Sequence, residues 1–217
     1  MTYPGPAFRE ERSDVLHAAI RELYFGLLVT RGEDRFATSY LPWELDAGRG
    51  PHGVLVGHLA RYNPQWQVPA GGAAALVVFQ GPHAYVSPSW YPGKREDPRQ
   101  VPTWDYLAVE ARGRLVTFDD ETRLHALLTR LTDRNEAHRE HRWRITDAPD
   151  DYVRKEMRHI VGIELEIENL IGRYKLSQNR NAADREGARA GLAAAPSERE
   201  RDVAKAIAVV QQERPER

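Results

Sequence analysis

Phe25-Gly26-Leu27-Leu28-Val29-Thr30, then Arg31-Gly32-Glu33-Asp34, then Phe36-Ala37-Thr38-Ser39-Tyr40-Leu41: two short runs rich in apolar, β-branched and aromatic residues flank four residues that read as a turn. This is a hairpin, and strands joined by so short a turn must be antiparallel, because a parallel pair needs a crossover of a dozen residues or more. Downstream, Asp46 to Gly53 reads as a second turn region and Val54 to Leu59 as a third strand, followed by a short helical turn around Asn63-Pro64-Gln65-Trp66. The continuous apolar run from Ala73 to Phe79 predicts a strand buried on both faces or in a barrel wall, and Ala84-Tyr85-Val86 continues it beyond Gly81-Pro82. Residues 87–103 hold Pro88, Pro92, Gly93, Pro98 and Pro102 and predict a long excursion. Tyr106 to Phe118 is another long strand, with a bend expected at Gly113.

Helical spacing surrounds this β-rich region. Ser13 can cap a helix in which Val15, Leu16, Ala19, Ile20 and Leu23 recur on one face. Leu124, Leu127, Leu128 and Leu131 predict an amphipathic helix from Asp120 to about Thr132, and Pro149-Asp150-Asp151 opens another through about His159, with carboxylates at its positive end. Ile163, Leu165 and Ile167 then alternate with Glu164, Glu166 and Glu168, which predicts a half-exposed strand with one acidic face. The Ala- and Arg-rich tail from Asn181 to Gln212 reads as two helices broken near Pro196. Six or seven short-spaced strands with late helices predict a mainly β fold, an antiparallel barrel with helical additions, over a parallel βαβ architecture.

Composition removes whole classes of chemistry. The 217 residues can bury roughly 70% of their unfolded surface in a core. The chain has no cysteine, which excludes disulfides, thiolate catalysis, iron–sulfur clusters and sulfur-ligated zinc. The opening residues lack a basic-then-apolar secretion signal and no stretch is long and apolar enough to span a membrane, so a soluble cytoplasmic protein is expected. With 31 basic and 32 acidic side chains the net charge is −1, which speaks against a wholly basic, nucleic-acid-binding surface. Only residues 173–217 are positive, with ten basic groups against seven acidic.

Eleven of the 19 aromatic residues fall between positions 36 and 106. Three segments there mix aromatics with polar groups: Gly57-His58-Leu59-Ala60-Arg61-Tyr62-Asn63-Pro64-Gln65-Trp66, Phe79-Gln80-Gly81-Pro82-His83-Ala84-Tyr85-Val86-Ser87-Pro88-Ser89-Trp90-Tyr91, and Val101-Pro102-Thr103-Trp104-Asp105-Tyr106. Any single ring is most simply a core residue; a cluster with polar neighbours suits a planar ligand. Together with Lys175-Leu176-Ser177-Gln178-Asn179-Arg180, these segments resemble the signature of the PaiB family, described as FMN-binding negative transcriptional regulators of bacteria, from about Phe25 to Gly191. The resemblance implies an FMN-binding split β-barrel with Greek-key-like connections, similar to pyridoxamine-phosphate oxidases and flavin reductases, over residues 1–176, with a C-terminal helical extension over 177–217. It also implies a homodimer with flavin at the subunit boundary. Two departures stand out: Asp105 where the family usually has Asn, and Tyr40 where it usually has His.

On the resemblance and on side-chain chemistry together, Arg61 and Lys175 are candidates for a phosphate dianion, with Ser87, Ser89 and Thr103 adding hydroxyl donors. Trp90 and Trp104 are candidates to wall the isoalloxazine ring, and Asn63 and Gln178 to serve its pyrimidine edge. Ser177 and Asn179 can alternatively cap the helix beginning near Asn181, and Arg180 at that helix start needs an anion, a carboxylate or solvent to offset the dipole. Asp105 is expected to point outward or to pair with an Arg if it does not face a ligand. His58 is a candidate cofactor contact, with haem ligation as a minor alternative to FMN; His138 and His141, on an expected helix with Glu136 and Glu140, are more simply solvated than metal-binding. No catalytic residue set is legible. A flavin-dependent oxidoreductase, of flavin-reductase or pyridoxamine-phosphate-oxidase type, and a cofactor-free interaction module are the alternatives to a PaiB-type regulator, whose partner would be DNA or a regulatory protein.

Overall fold

The computed structural model describes residues 5–32 and 35–213. Among them are eight strands and five α-helices: β1 (Arg9–Glu10), α1 (Ser13–Leu23), β2 (Phe25–Arg31), β3 (Phe36–Pro42), β4 (Glu44–Asp46), β5 (Val54–Ala60), β6 (Ala73–Val86), β7 (Thr103–Phe118), α2 (Glu121–Glu136), α3 (Asp150–Met157), β8 (Ile160–Lys175), α4 (Ala182–Ala193) and α5 (Glu198–Glu213). The strands form one sheet in the order β3-β2-β6-β7-β8-β5-β4, with β1 on β8; the path has two ends, so the sheet is not closed. The pairings β2–β3, β2–β6, β4–β5, β5–β8 and β1–β8 are all antiparallel, as the hairpin predicts. Among the described residues, no helix is long and apolar enough to cross a membrane.

The chain divides into two compact units. One takes its described residues from 1–16, 80–109 and 171–217, the other from 17–79 and 110–170. In the second, α2 is capped by Asp120, whose carboxylate accepts the Arg123 N–H (2.7 Å), and its leucine stripe packs onto β5 through Val54, Val56, Leu127 and Leu131. β7 comes against β8 so closely at Gly113 that a Cβ there would stand 1.9 Å from the Glu166 carbonyl oxygen, which explains why the long strand carries glycine at this point. In the first unit, α4 and α5 pack on each other with Ala188, Leu192, Val203 and Ile207 buried. The expected excursion folds into two 3-10 turns, Pro88–Trp90 and Pro92–Arg95. It is fastened to α4 by buried Asp184, which accepts the Gly93 N–H at 2.8 Å.

Three expectations change. The acidic face of β8 is not uniform: Glu168 is exposed, Glu166 pairs with Arg114, and Glu164 is buried, held by Arg49 (2.6 Å) and Arg123 (2.5 Å). α2 ends at Glu136, so His138 and His141 lie beyond the helix. The short strands β1 and β4 carry too few residues to show a period in sequence.

Candidate functional site

In the first unit, the start of β7 and the end of β8 bring Thr103, Trp104, Asp105, Lys175 and Ser177 together. The Lys175 ammonium donates to Thr103 Oγ1 (2.6 Å) and to the Trp104 carbonyl, and lies 3.6 Å from Asp105 Oδ1. Asp105 is fully buried, facing neither outward nor toward an arginine. Its Oδ2 accepts the Ser177 hydroxyl at 2.6 Å, while Oδ1 has no hydrogen-bond partner among the described residues. Burial pushes the Asp105 carboxyl above its usual range, against the lowering effects of the Ser177 hydroxyl and the Lys175 charge. Ser177 sits at φ 60°, a left-handed conformation unusual for a residue with a Cβ, and its bond to Asp105 helps to hold it there. The helix cap foreseen for Ser177 or Asn179 is instead Asn181, which accepts the Asp184 N–H at 2.8 Å.

Around Trp104 the same unit exposes an aromatic face. The Trp104 ring is 56% exposed; His83 stands tilted at 6.3 Å from it and Tyr85, 46% exposed, edge-on at 6.3 Å. His83 and Tyr85 share a face of β6 by period-2 alternation, a signal present in the sequence that the candidate set passed over. Arg199 of α5 brings Nη1 to 3.5 Å from His83 Nε2. Ser87 and Ser89, in the turn that follows β6, stand with their hydroxyls 2.7 Å apart. Trp90 has a different setting: a Cβ at Gly191 would come within 2.3 Å of its ring and one at Gly187 within 2.0 Å of its carbonyl oxygen, so the Gly-x-x-x-Gly groove of α4 receives this residue. Gln178 closes its own turn, accepting from the Leu176 N–H (2.6 Å) and donating to the Tyr174 carbonyl. Arg180 donates to Gln100 Oε1 (2.6 Å) and lies 4.6 Å over the ring of buried Tyr91, whose hydroxyl burial holds above its ordinary pKa.

The remaining candidates belong to the second unit. Arg61 donates to Asp119 (2.6 Å) and to the carbonyls of Arg158 and Ile160 (both 2.9 Å), fastening the end of β5 to the α3–β8 turn. Asn63 caps the 3-10 turn Pro64–Trp66 by accepting from the Gln65 N–H and donates to Ser39, which in turn donates to Gln65. His58 lines a mainly apolar cavity of about 680 Å³ with Leu128, Trp143, Ile145, Val153 and Met157. Its Nδ1 is buried without a hydrogen-bond partner among the described residues, and burial lowers its pKa, which favours neutral imidazole.

Comparison with known proteins fixes the family. Residues 2–169 match the family model described as "Putative FMN-binding domain". The chain is 33% identical over 177 residues to "Protease synthase and sporulation protein PAI 2" of Bacillus subtilis, covering 82% of each. The chain belongs to the PaiB family of FMN-binding proteins. An uncharacterised protein of Emericella nidulans, 31% identical over 218 residues with 84% of this chain and 87% of its own length covered, is a further relative. Among solved structures, the FAD and haem binding protein of Mycobacterium smegmatis has a TM-score of 0.55 at 18% identity, covering 77% of this chain and 73% of its own. The flavocytochrome Anf3 of Azotobacter vinelandii has 0.56 at 10%, covering 77% and 69%. At these identities the structures establish the split-barrel fold.

FMN is the cofactor that the PaiB family indicates, and the donor set of the first unit fits it in part. The exposed Trp104 and Tyr85 rings offer an apolar face for an isoalloxazine, and Ser87, Ser89 and Arg199 offer hydrogen bonds and a positive charge for a phosphate. Lys175 does not fit that last role as it stands, because its charge is already answered by Asp105.

Proposed function

We propose that this chain is a flavin-binding regulatory protein of the PaiB type that acts as a homodimer. The observation that carries the reading is the aromatic face of the first unit. Large rings left half exposed, beside paired hydroxyls and an arginine, are surface that a planar ligand and a second subunit would cover. When bound, FMN would supply redox chemistry or a sensing state that a chain without cysteine lacks; Trp104 and Tyr85 would seat the ring, and Ser87, Ser89 and Arg199 the phosphate. A regulatory output through a protein partner is favoured over direct DNA contact, since the only basic excess is the small one over 173–217. Titration of the purified protein with FMN, followed by flavin fluorescence and by light scattering for mass, tests the reading; no flavin uptake and a monomeric mass would overturn it. A gel shift across a salt series tests the output, direct DNA binding predicting a complex that weakens steeply with salt.

A second reading, haem, rests on His58. A neutral imidazole lining a mainly apolar cavity of about 680 Å³ is a suitable axial ligand, and two proteins with this fold are a FAD and haem binding protein and a flavocytochrome. Haem titration of wild type and His58→Ala, followed at the Soret band, tests it: identical spectra in the two would refute His58 ligation.

A further inference from the structure

The Lys175 ammonium has three protons to donate. Two go to uncharged oxygens, Thr103 Oγ1 and the Trp104 carbonyl, and the charge is answered by Asp105 Oδ1 at 3.6 Å. The acid is fully buried and fixed from its other oxygen by Ser177, so it cannot swing away to release the cation. The lysine side chain is itself only 22% exposed. A phosphate approaching Lys175 would therefore meet a neutral pair, with a buried carboxylate directly behind the ammonium.

We propose that Asp105 is a specificity-determining residue: by neutralising Lys175 it makes the flavin site of this chain weakly selective for the phosphate, so that riboflavin-type and phosphorylated flavins bind with similar affinity. The proposal rests on the flavin reading above. Asparagine at this position would keep an oxygen for the Ser177 hydroxyl but remove the negative charge, freeing Lys175 to face an anion.

Two measurements test this. The first needs no flavin. Lys175 is one of only four lysines, and Lys94, Lys155 and Lys205 are exposed references in the same chain. Brief acylation with acetic anhydride, read by peptide mass spectrometry, should label Lys175 several-fold more slowly than the references in wild type and at a rate approaching theirs in Asp105→Asn. Wild-type labelling as fast as the references would overturn the pairing. The second measurement is fluorescence titration with FMN and with riboflavin. Wild type should prefer FMN by less than about tenfold, and Asp105→Asn should raise that preference about tenfold or more, the gain expected of a charge-assisted hydrogen bond. The gain should disappear in Asp105→Asn/Lys175→Ala and should shrink with salt. An FMN preference unchanged by Asp105→Asn, or equal gains for both flavins, overturns the proposal while leaving the flavin reading intact. Failure of either flavin to bind any of the folded proteins, checked by thermal melting, overturns the flavin reading and the selectivity with it.

Discussion

Replacing Glu164 by Gln should destabilise the second unit at neutral pH and do so less as the pH falls. Glu164 lies on β8 opposite Val56 of β5 and is 5% exposed. It accepts two bonds from Arg49 (2.6 and 3.0 Å) and one from Arg123 (2.5 Å), and Arg123 also lies 4.0 Å over the Phe118 ring. Burial pushes the Glu164 carboxyl up, but the hydrogen bonds and charges of the two arginines outweigh it, so its pKa lies below the usual range. A group whose pKa is depressed by folding contributes stability above its unfolded pKa and loses it as the pH falls through the folded value, so the contribution is full above roughly pH 5 and fades below roughly pH 4. Breaking a fully buried pair costs about 3–5 kcal/mol, but both arginines are nearly half exposed and can return to water, so about 2 kcal/mol is the better expectation. That corresponds to a melting shift of about 4–8 °C for a chain of this size. Urea melts of wild type and Glu164→Gln at pH 7 and pH 3.5, with exposed Glu168→Gln as control, are the assay. A Glu164→Gln deficit that is the same at both pH values, or no larger than that of Glu168→Gln, would refute the reasoning.

Gly191→Ala should cost about 1–3 kcal/mol, because its Cβ would fall 2.3 Å from the Trp90 ring, whereas Gly71→Ala meets no atom within 4 Å and should be nearly neutral; thermal melts with Trp fluorescence compare the two. Asp184→Ala removes the carboxylate that holds the Gly93 N–H and should open the 87–102 excursion to limited proteolysis, with cleavage sites there absent from wild type. Asp105→Asn should stabilise the fold at pH 7 to 8 relative to pH 4, because a carboxyl whose pKa is raised by burial loses its contribution as the pH rises through the folded value; a pH-independent difference in melting temperature would contradict this. Trp104→Ala should leave the melting temperature within about 2 °C, the ring being 56% exposed, while weakening flavin binding; equal loss of fold and binding would place Trp104 in the core instead.

The long periodic elements were legible. The 25–41 hairpin, the leucine stripe of α2 and the break at Pro196 follow local patterns, and in β8 Ile163, Leu165 and Ile167 are buried as their alternation predicts. What the pattern could not express is where a charge finds its partner. Arg61 meets Asp119 and the carbonyls of Arg158 and Ile160, and Lys175 meets Asp105, all far away in sequence and brought close only by the tertiary fold. A cation inside a motif therefore looks the same in sequence whether it awaits a ligand or fastens a strand. Glu164 failed for the same reason: its alternating position is that of an exposed residue, and only Arg49 and Arg123, arriving from other elements, make its burial affordable.

Positive charge without an internal partner is the resource a phosphate site needs, and following it through the candidate set narrows the site. Arg61 and Lys175 are each compensated by a carboxylate, and Arg180 is committed to Gln100 and the Tyr91 ring. Arg199, whose contact in this structure is the His83 ring, carries no carboxylate partner among the described residues and stands at the edge of the exposed aromatic face. An anion bound there would meet the Arg199 guanidinium beside the His83 ring. Arg199→Ala should therefore remove the small FMN preference, less than about tenfold, that the wild type keeps, while Lys175→Ala in the wild-type background should lower neither selectively. The reverse order in a fluorescence titration would return the phosphate to Lys175.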